Sequence, residues 1–176
     1  LRKILRPVNI AKDQYIVNSH KMLIGKITKG RKTTIEIEKR KPIVQLIGKD
    51  ESSKLLIANE VCKQYNLSLM TLSAENFVSK VNDFNTFSQL LNRDSLLFGF
   101  ALYLPMEDLE SQLHNNAKML IESISVPIFL GTYDPLNIGD IYIDVYKPEK
   151  KEQKRIWEDS IENQFKENLS NVQLEK

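Results

Sequence analysis

The stretch from Pro42 to Gly48 constrains the fold most. Ile43-Val44-Gln45-Leu46-Ile47 is a short, almost wholly apolar run closed by a glycine. Such a run fits a strand covered on both faces, which is the environment of a parallel sheet packed between helices. The pattern then repeats. Leu55, Leu56, Ile57, Ala58, Val61 and Cys62 follow at helical spacing, and Ser68-Leu69-Met70-Thr71-Leu72 reads as a second strand. Phe84, Phe87, Leu90 and Leu91 mark a helix over 81–93, and Ser95 to Leu104 a third strand stopped by Pro105. Leu109, Leu113, Ala117, Leu120 and Ile121 mark another helix, before strands at Val126–Leu130 and Ile141–Tyr146. Pro148 suits a helix N-terminus, and Glu149 to about Gln164 reads as a charged helix anchored to the body by Ile156, Trp157 and Ile161, with Phe165 as a further anchor. This alternation predicts an α/β fold: a three-layer sandwich with a mostly parallel five-stranded sheet.

Upstream of Pro42 the reading differs. Residues 1–20 look irregular, with Pro7 interrupting any helix. Met22–Thr28 and Thr33–Glu38 are β-prone and flank Lys29-Gly30-Arg31-Lys32, so an N-terminal β-hairpin is expected. The chain thus divides into a basic arm over 1–41, an α/β core over 42–147, and a partial helical lid with its tail over 148–176.

Charge and composition narrow the chemistry. Residues 1–41 carry 12 Lys and Arg against 3 Asp and Glu, whereas residues 42–146 carry 6 against 13. A basic arm on an acidic body can lie against acidic surface, its own or a neighbour's. The alternative is a nucleic-acid footprint through Arg2, Lys3, Arg6, Lys26, Lys29, Arg31, Lys32, Lys39, Arg40 and Lys41, but stacking aromatics are not interleaved with these residues. Cys62 is the single cysteine, which excludes a disulfide framework and fits a reducing, cytoplasmic setting. His20 and His114 with one cysteine do not make a metal cluster, so no metal site is expected. No apolar run approaches the roughly 20 residues of a membrane span.

In parallel sheets ligands gather at the carboxyl ends of strands, which directs attention to the loop after Ile47. It reads Gly48-Lys49-Asp50-Glu51-Ser52-Ser53-Lys54-Leu55. Set against the phosphate-loop pattern G-x-x-x-x-G-K-[ST], Gly48 and Lys54 match, Ser53 replaces the second glycine, and Leu55 replaces the hydroxyl that holds Mg²⁺. An isobutyl group offers no metal ligand. Asp50 and Glu51 add negative charge, and a like charge at about 4 Å costs roughly 1–4 kcal/mol. The other reading is an ordinary strand-to-helix loop with a capping serine and a solvated lysine.

The remaining segments bear on this choice. Ile43 to Gly48, Ala58-Asn59-Glu60-Val61-Cys62, Ser95 to Leu104, Pro127-Ile128-Phe129-Leu130-Gly131-Thr132, and Pro148 with Lys154-Arg155-Ile156-Trp157 occur in the order and spacing of a AAA+ ATPase module. The chain resembles that family from just before Pro42 to about Gln164. More narrowly, it resembles the degenerate first ATPase-like domain of large bacterial AAA+ proteins with an intact second ATPase domain downstream.

The resemblance implies an acidic pair after the third strand, where this chain has Pro105 and Met106; Glu107 and Asp108 come two residues late. It implies a polar sensing residue at Thr132 or Tyr133. It also implies an arginine finger, yet no arginine lies between Arg93 and Arg155, and Arg155 matches a lid-helix position. The expectation is a domain with no catalytic residues and no cofactor, partnered by the downstream ATPase domain and ring neighbours, with membrane excluded. A vestigial nucleotide site would comprise Gly48, Ser53, Lys54, Leu55 and Thr132. The alternative is ATP or ADP held without productive Mg²⁺.

Overall fold

The computed structural model describes residues 4–10, 15–38, 42–72, 84–106, 111–159 and 161. Its elements run β1 (Leu5–Pro7), α1 (Asn18–Glu38), β2 (Ile43–Ile47), α2 (Glu51–Gln64), β3 (Ser68–Leu72), α3 (Phe84–Phe98), β4 (Phe100–Pro105), α4 (Ser111–Ser123), β5 (Ile128–Thr132), β6 (Ile141–Asp144) and a helix over 150–159, here α5.

The six strands form one sheet in the order β1-β3-β4-β5-β2-β6. The five expected strands pair in parallel, and β1 adds a sixth, antiparallel to β3. Helices cover both faces, as expected for the three-layer sandwich. On one face, Ile24 and Ile27 of α1 and Ile57, Ala58 and Val61 of α2 pack with Val44, Leu46, Ala101, Tyr103, Phe129 and Ile143 of the sheet. On the other, Phe87 and Leu91 of α3 and Ala117, Leu120 and Ile121 of α4 pack with Leu102, Leu104, Ile128 and Leu130. Side chains alternate between faces along each strand, so every central strand must be apolar at nearly every position. Each fully buried aliphatic side chain here contributes about 1.5–3 kcal/mol.

The expected hairpin is not there. Residues 18–38 form one helix, α1, in place of two strands and the Lys29–Lys32 loop. Val17, His20, Ile24 and Ile27 are all buried, at spacings of three and four residues that put them on one helical stripe. That stripe docks on α2 and β6, and the tertiary contact overrides the β propensity of the isoleucines and threonines. Gly30 assists: a β-carbon there would come within 3.0 Å of Ile141 of β6. Thr28 Oγ1 lies 2.9 Å from Ile24 O and 3.1 Å from Gln64 Oε1, linking α1 to the end of α2.

The N-terminal stretch read as irregular contains β1. Pro7 is tolerated because β1 is an edge strand, where a missing N–H leaves no ladder bond unmade. The third core strand also starts later than its apolar run. Ser95 to Phe98 complete the last turn of α3, and Gly99 ends it with φ of 61°. Gly99 N–H donates to Ser95 O at 3.0 Å, and Ser95 Oγ donates to Phe100 O at 2.8 Å. Leu96, Leu97 and Phe98 therefore point outward, 76%, 68% and 71% exposed, so Phe98 is not a core-strand residue.

Trp157 does not anchor α5 either, being 72% exposed. Of the other expected anchors, Ile156 is half-buried and faces the body, in a cleft shared with Val17 and Leu56, while Ile161 is exposed. Phe165 lies outside the described residues. No helix among the described residues is long and apolar enough to cross a membrane.

Candidate functional site

From β2 the chain crosses to β3 on one side of the sheet, while β6 flanks β2 on the other. The carboxyl end of β2 is therefore a switch point, where loops diverge and leave room for a ligand. The residues expected to form a site converge there. Gly48 continues the β2–β5 ladder, its N–H donating to Thr132 O at 2.9 Å. Its φ of +146° is a glycine conformation, and a β-carbon would meet Val145 O at 2.1 Å. The segment leaving β6 passes directly over the loop, with Val145 N–H donating to Ile47 O at 2.6 Å.

The loop itself is short. Only Gly48, Lys49 and Asp50 separate β2 from α2, so Ser53, Lys54 and Leu55 lie inside the helix. Lys54 N–H donates to Asp50 O at 3.1 Å, an ordinary helical bond. An amide that a phosphate cradle would direct at its ligand is thereby spent on the backbone. Ser53 Oγ donates to Asp50 Oδ2 at 2.5 Å, which places the Asp50 carboxylate beside the first turn of α2. Asp50 and Glu51 both offset the positive end of the helix dipole.

Lys54 is not solvated. It is 0% exposed, the only lysine among the buried residues described. Nζ lies 3.1 Å from Glu51 Oε2 and donates to Thr132 O at 3.4 Å, with the Tyr133 ring centroid 5.5 Å away. A buried ammonium needs such partners, because removing it from water is costly unless charge and hydrogen bonds are returned. Tyr103, 1% exposed, completes the cluster. Its hydroxyl lies against Gly131, where a β-carbon would come within 2.1 Å of it. Burial first, and then the Glu51 carboxylate, holds this phenol far above its ordinary range, so it stays protonated.

Thr132 contributes its carbonyl to Gly48 and Lys54, while its hydroxyl faces the opposite side of the sheet. There it donates to the amide oxygen of buried Gln45 at 3.0 Å; that oxygen also accepts from Leu136 N–H at 2.7 Å, and the amide nitrogen donates to Leu136 O at 2.9 Å. The hydroxyl thus serves the packing of the β5–β6 connection. Leu55, half-buried, packs into the core between α1 and α2. At the end of β4, Met106 is buried and donates its N–H to Gly131 O at 2.8 Å. Glu107, Asp108 and Glu110 lie outside the described residues.

Sequence reasoning placed Gly48, Lys54 and Thr132 together and Glu51 in the same loop, but missed the pairing of Glu51 with Lys54 and the position of Tyr103 beside them. The Glu51–Lys54 pair has i,i+3 spacing and was legible only with the helix start placed at residue 51. Beside the first turn of α2 lies a cleft of about 200 Å³ between Val17, His20, Ser52, Ser53, Leu56 and Ile156. His20 Nε2 lies 3.2 Å from Tyr146 O, and Nδ1 is buried without a hydrogen-bond partner among the described residues. Among the expected basic residues, Arg6 lies in β1 and Lys26 and Lys29 are exposed on α1, with Arg31 and Lys32 in its later turns. Arg2, Lys3, Lys39, Arg40 and Lys41 lie outside the described residues. No group of three or more His, Cys, Asp and Glu among the described residues could hold a metal ion.

No protein-family model matches the sequence, and no curated protein matches it. Solved structures do match. The FIGL-1 AAA domain in complex with ADP superposes with a TM-score of 0.55 at 16% identity, covering 89% of this chain and 63% of that one. C. elegans PCH-2 superposes with a TM-score of 0.51 at 11% identity, covering 82% of this chain and 49% of that one. The chain thus spans about half of the one neighbour and under two thirds of the other. The parallel sheet, its flanking helices and these superpositions agree on one architecture, and the chain shares the α/β fold of the FIGL-1 AAA domain.

Proposed function

We propose that this chain is a catalytically degenerate AAA+ ATPase-like domain, a structural or regulatory scaffold within a larger AAA+ ATPase. The observation that carries the reading is the state of Lys54. Its ammonium, the group that would grip a triphosphate, is fully buried and paired with Glu51 and the Thr132 carbonyl. Leu55 supplies no metal ligand, and Pro105 and Met106 supply no general base. With metal ligand and base both missing, the fold persists for its packing. Its partners on this reading are an active ATPase domain of the same parent chain and neighbouring copies in a ring. Three consecutive exposed apolar side chains, Leu96, Leu97 and Phe98, suit a domain that packs on others.

The test is phosphate release from the purified chain with ATP and Mg²⁺. Release at the buffer rate is expected; release abolished by Lys54→Ala sinks the proposal. A second reading, nucleotide held without turnover, draws on the cleft of about 200 Å³ beside Ser52 and Ser53, which is large enough for a heterocyclic ring. Equilibrium binding of labelled ATP separates the two. The scaffold shows no saturable binding, whereas the second reading requires binding that Lys54→Ala weakens.

A further inference from the structure

We propose that two copies of this chain associate about a twofold axis, the apolar tip of α3 in each seated in a cavity at the amino ends of β2 and β5 in the other. This contact needs nothing of the loop after β2, which lies at the carboxyl end of that strand and so at the opposite rim of the sheet.

Knob and socket share one rim. Phe98 is the last residue of α3 and stands just ahead of β4, while Ile43 and Ile128 are the first residues of β2 and β5. β4, β5 and β2 are parallel neighbours, so their amino ends lie along the same edge. The knob is Leu96, Leu97 and Phe98, a contiguous apolar projection of the kind that marks an interaction surface. The socket is a cavity of about 650 Å³ walled by Ile43, Ile121, Ile124, Val126, Ile128 and Ile138. Its volume is that of a ligand pocket, and its aliphatic wall suits a leucine or phenylalanine side chain.

Two observations identify the occupant as a second copy. The first is adjacency. Asn92 Oδ1 accepts from Ser125 N–H at 2.6 Å, and Ser125 is an exposed residue on the border of the socket. Leu96 follows Asn92 by four residues, so it stands on the same face of α3 one turn on. The three knob residues do not line the socket of their own copy. One surface therefore carries a projection and, beside it, a hole of matching chemistry. Such a surface complements itself under twofold rotation, which brings each knob to the other copy's socket. The second observation is charge. Lys118 and Glu122 border the socket, and Arg93 and Asp94 precede the knob, with Arg93 Nη2 2.7 Å from Asp94 Oδ1. Each border holds one cation and one anion, so no net charge opposes the approach of an identical surface.

The experiment is sedimentation equilibrium of the full chain over a concentration series, in wild type, Leu97→Glu and Ser125→Trp. The first variant spoils the knob and the second fills the socket, and both replace exposed side chains. A monomer–dimer equilibrium is expected for wild type, weakened at least about tenfold by either variant. A wild type that stays monomeric up to its solubility limit overturns the proposal and leaves this face to a different partner. Association that continues past the dimer overturns the twofold arrangement, and so does a dimer that both variants leave intact. If circular dichroism shows that one variant does not fold, the other decides alone. Cross-linking checks the geometry. Leu97→Cys and Ser125→Cys chains, mixed under mild oxidation, are expected to give the mixed covalent dimer in preference to either homodimer, the native Cys62 being buried. Homodimers in excess overturn the seating of knob in socket.

Discussion

Gly48 and Gly131 do related work around the buried cluster. Gly48 occupies a φ of +146° and leaves 2.1 Å between a would-be β-carbon and Val145 O, so alanine meets both torsional strain and a backbone clash. Gly48→Ala is expected to cost at least about 2 kcal/mol in urea denaturation, because the strain alone is worth about 1–3 kcal/mol. At Gly131 the obstacle is the Tyr103 hydroxyl, the end of a rigid ring that has no second rotamer in a packed core. Gly131→Ala should destabilise by a similar amount. Tyr103→Phe should recover part of that loss, and independent, additive effects in the double-mutant cycle would contradict the contact. These glycines are visible in the sequence, but only the neighbouring strands give them their meaning. Gly48 was recognised through its motif position; Gly131 carried no signal, because its partner is 28 residues away on another strand.

Elements were legible where periodicity was unambiguous. β2, β3 and α2 follow directly from apolar runs and helical spacing. β4 was misplaced at its start because Leu96, Leu97 and Phe98 extend the apolar run while belonging to the last turn of α3. α1 was misread because Ile and Thr favour strands locally, whereas the stripe from Val17 to Ile27 finds its partners on α2 and β6. At its start α1 is capped from far along the chain. Glu152 on α5 accepts from Ser19 N–H at 3.1 Å and from Ser19 Oγ at 2.9 Å, and also from Glu149 N–H at 3.2 Å. The Ser19 backbone bond is the largest cause holding the Glu152 carboxyl below its ordinary value of 4.5. A lowered carboxyl pKa adds stability that is complete above the ordinary value and disappears as the pH falls through the lowered one. Amide exchange in the first turn of α1 and in α5 should therefore quicken below about pH 4.5 relative to the core. Glu152→Gln should show faster exchange at neutral pH and a smaller further change on acidification. An identical pH response in the variant would remove the cap from the account.

At the scale of the whole molecule, the sheet has helices on both faces, and the apolar end of α3 remains exposed. Leu97, 68% exposed, contributes to an intermolecular surface or to nothing. Leu97→Glu is expected to leave the urea midpoint within about 0.5 kcal/mol of wild type, as exposed substitutions do. Sedimentation should then show less self-association in the variant if this tip packs on copies of the chain. A large loss of stability would instead mean that the tip is part of the fold. The sequence by itself determined the layered α/β architecture, because strands covered on both faces must be apolar throughout and their helices must carry a stripe. It also determined that Leu55, Pro105 and Met106 cannot supply metal ligation or a base, since that follows from side-chain chemistry alone. Only the tertiary structure decided that residues 18–38 are helical, that β1 adds an antiparallel edge strand, and that Lys54 is buried against Glu51 beside Tyr103. Those outcomes depend on contacts between residues far apart in the chain or on where a helix begins, and neither is encoded in local propensity or spacing.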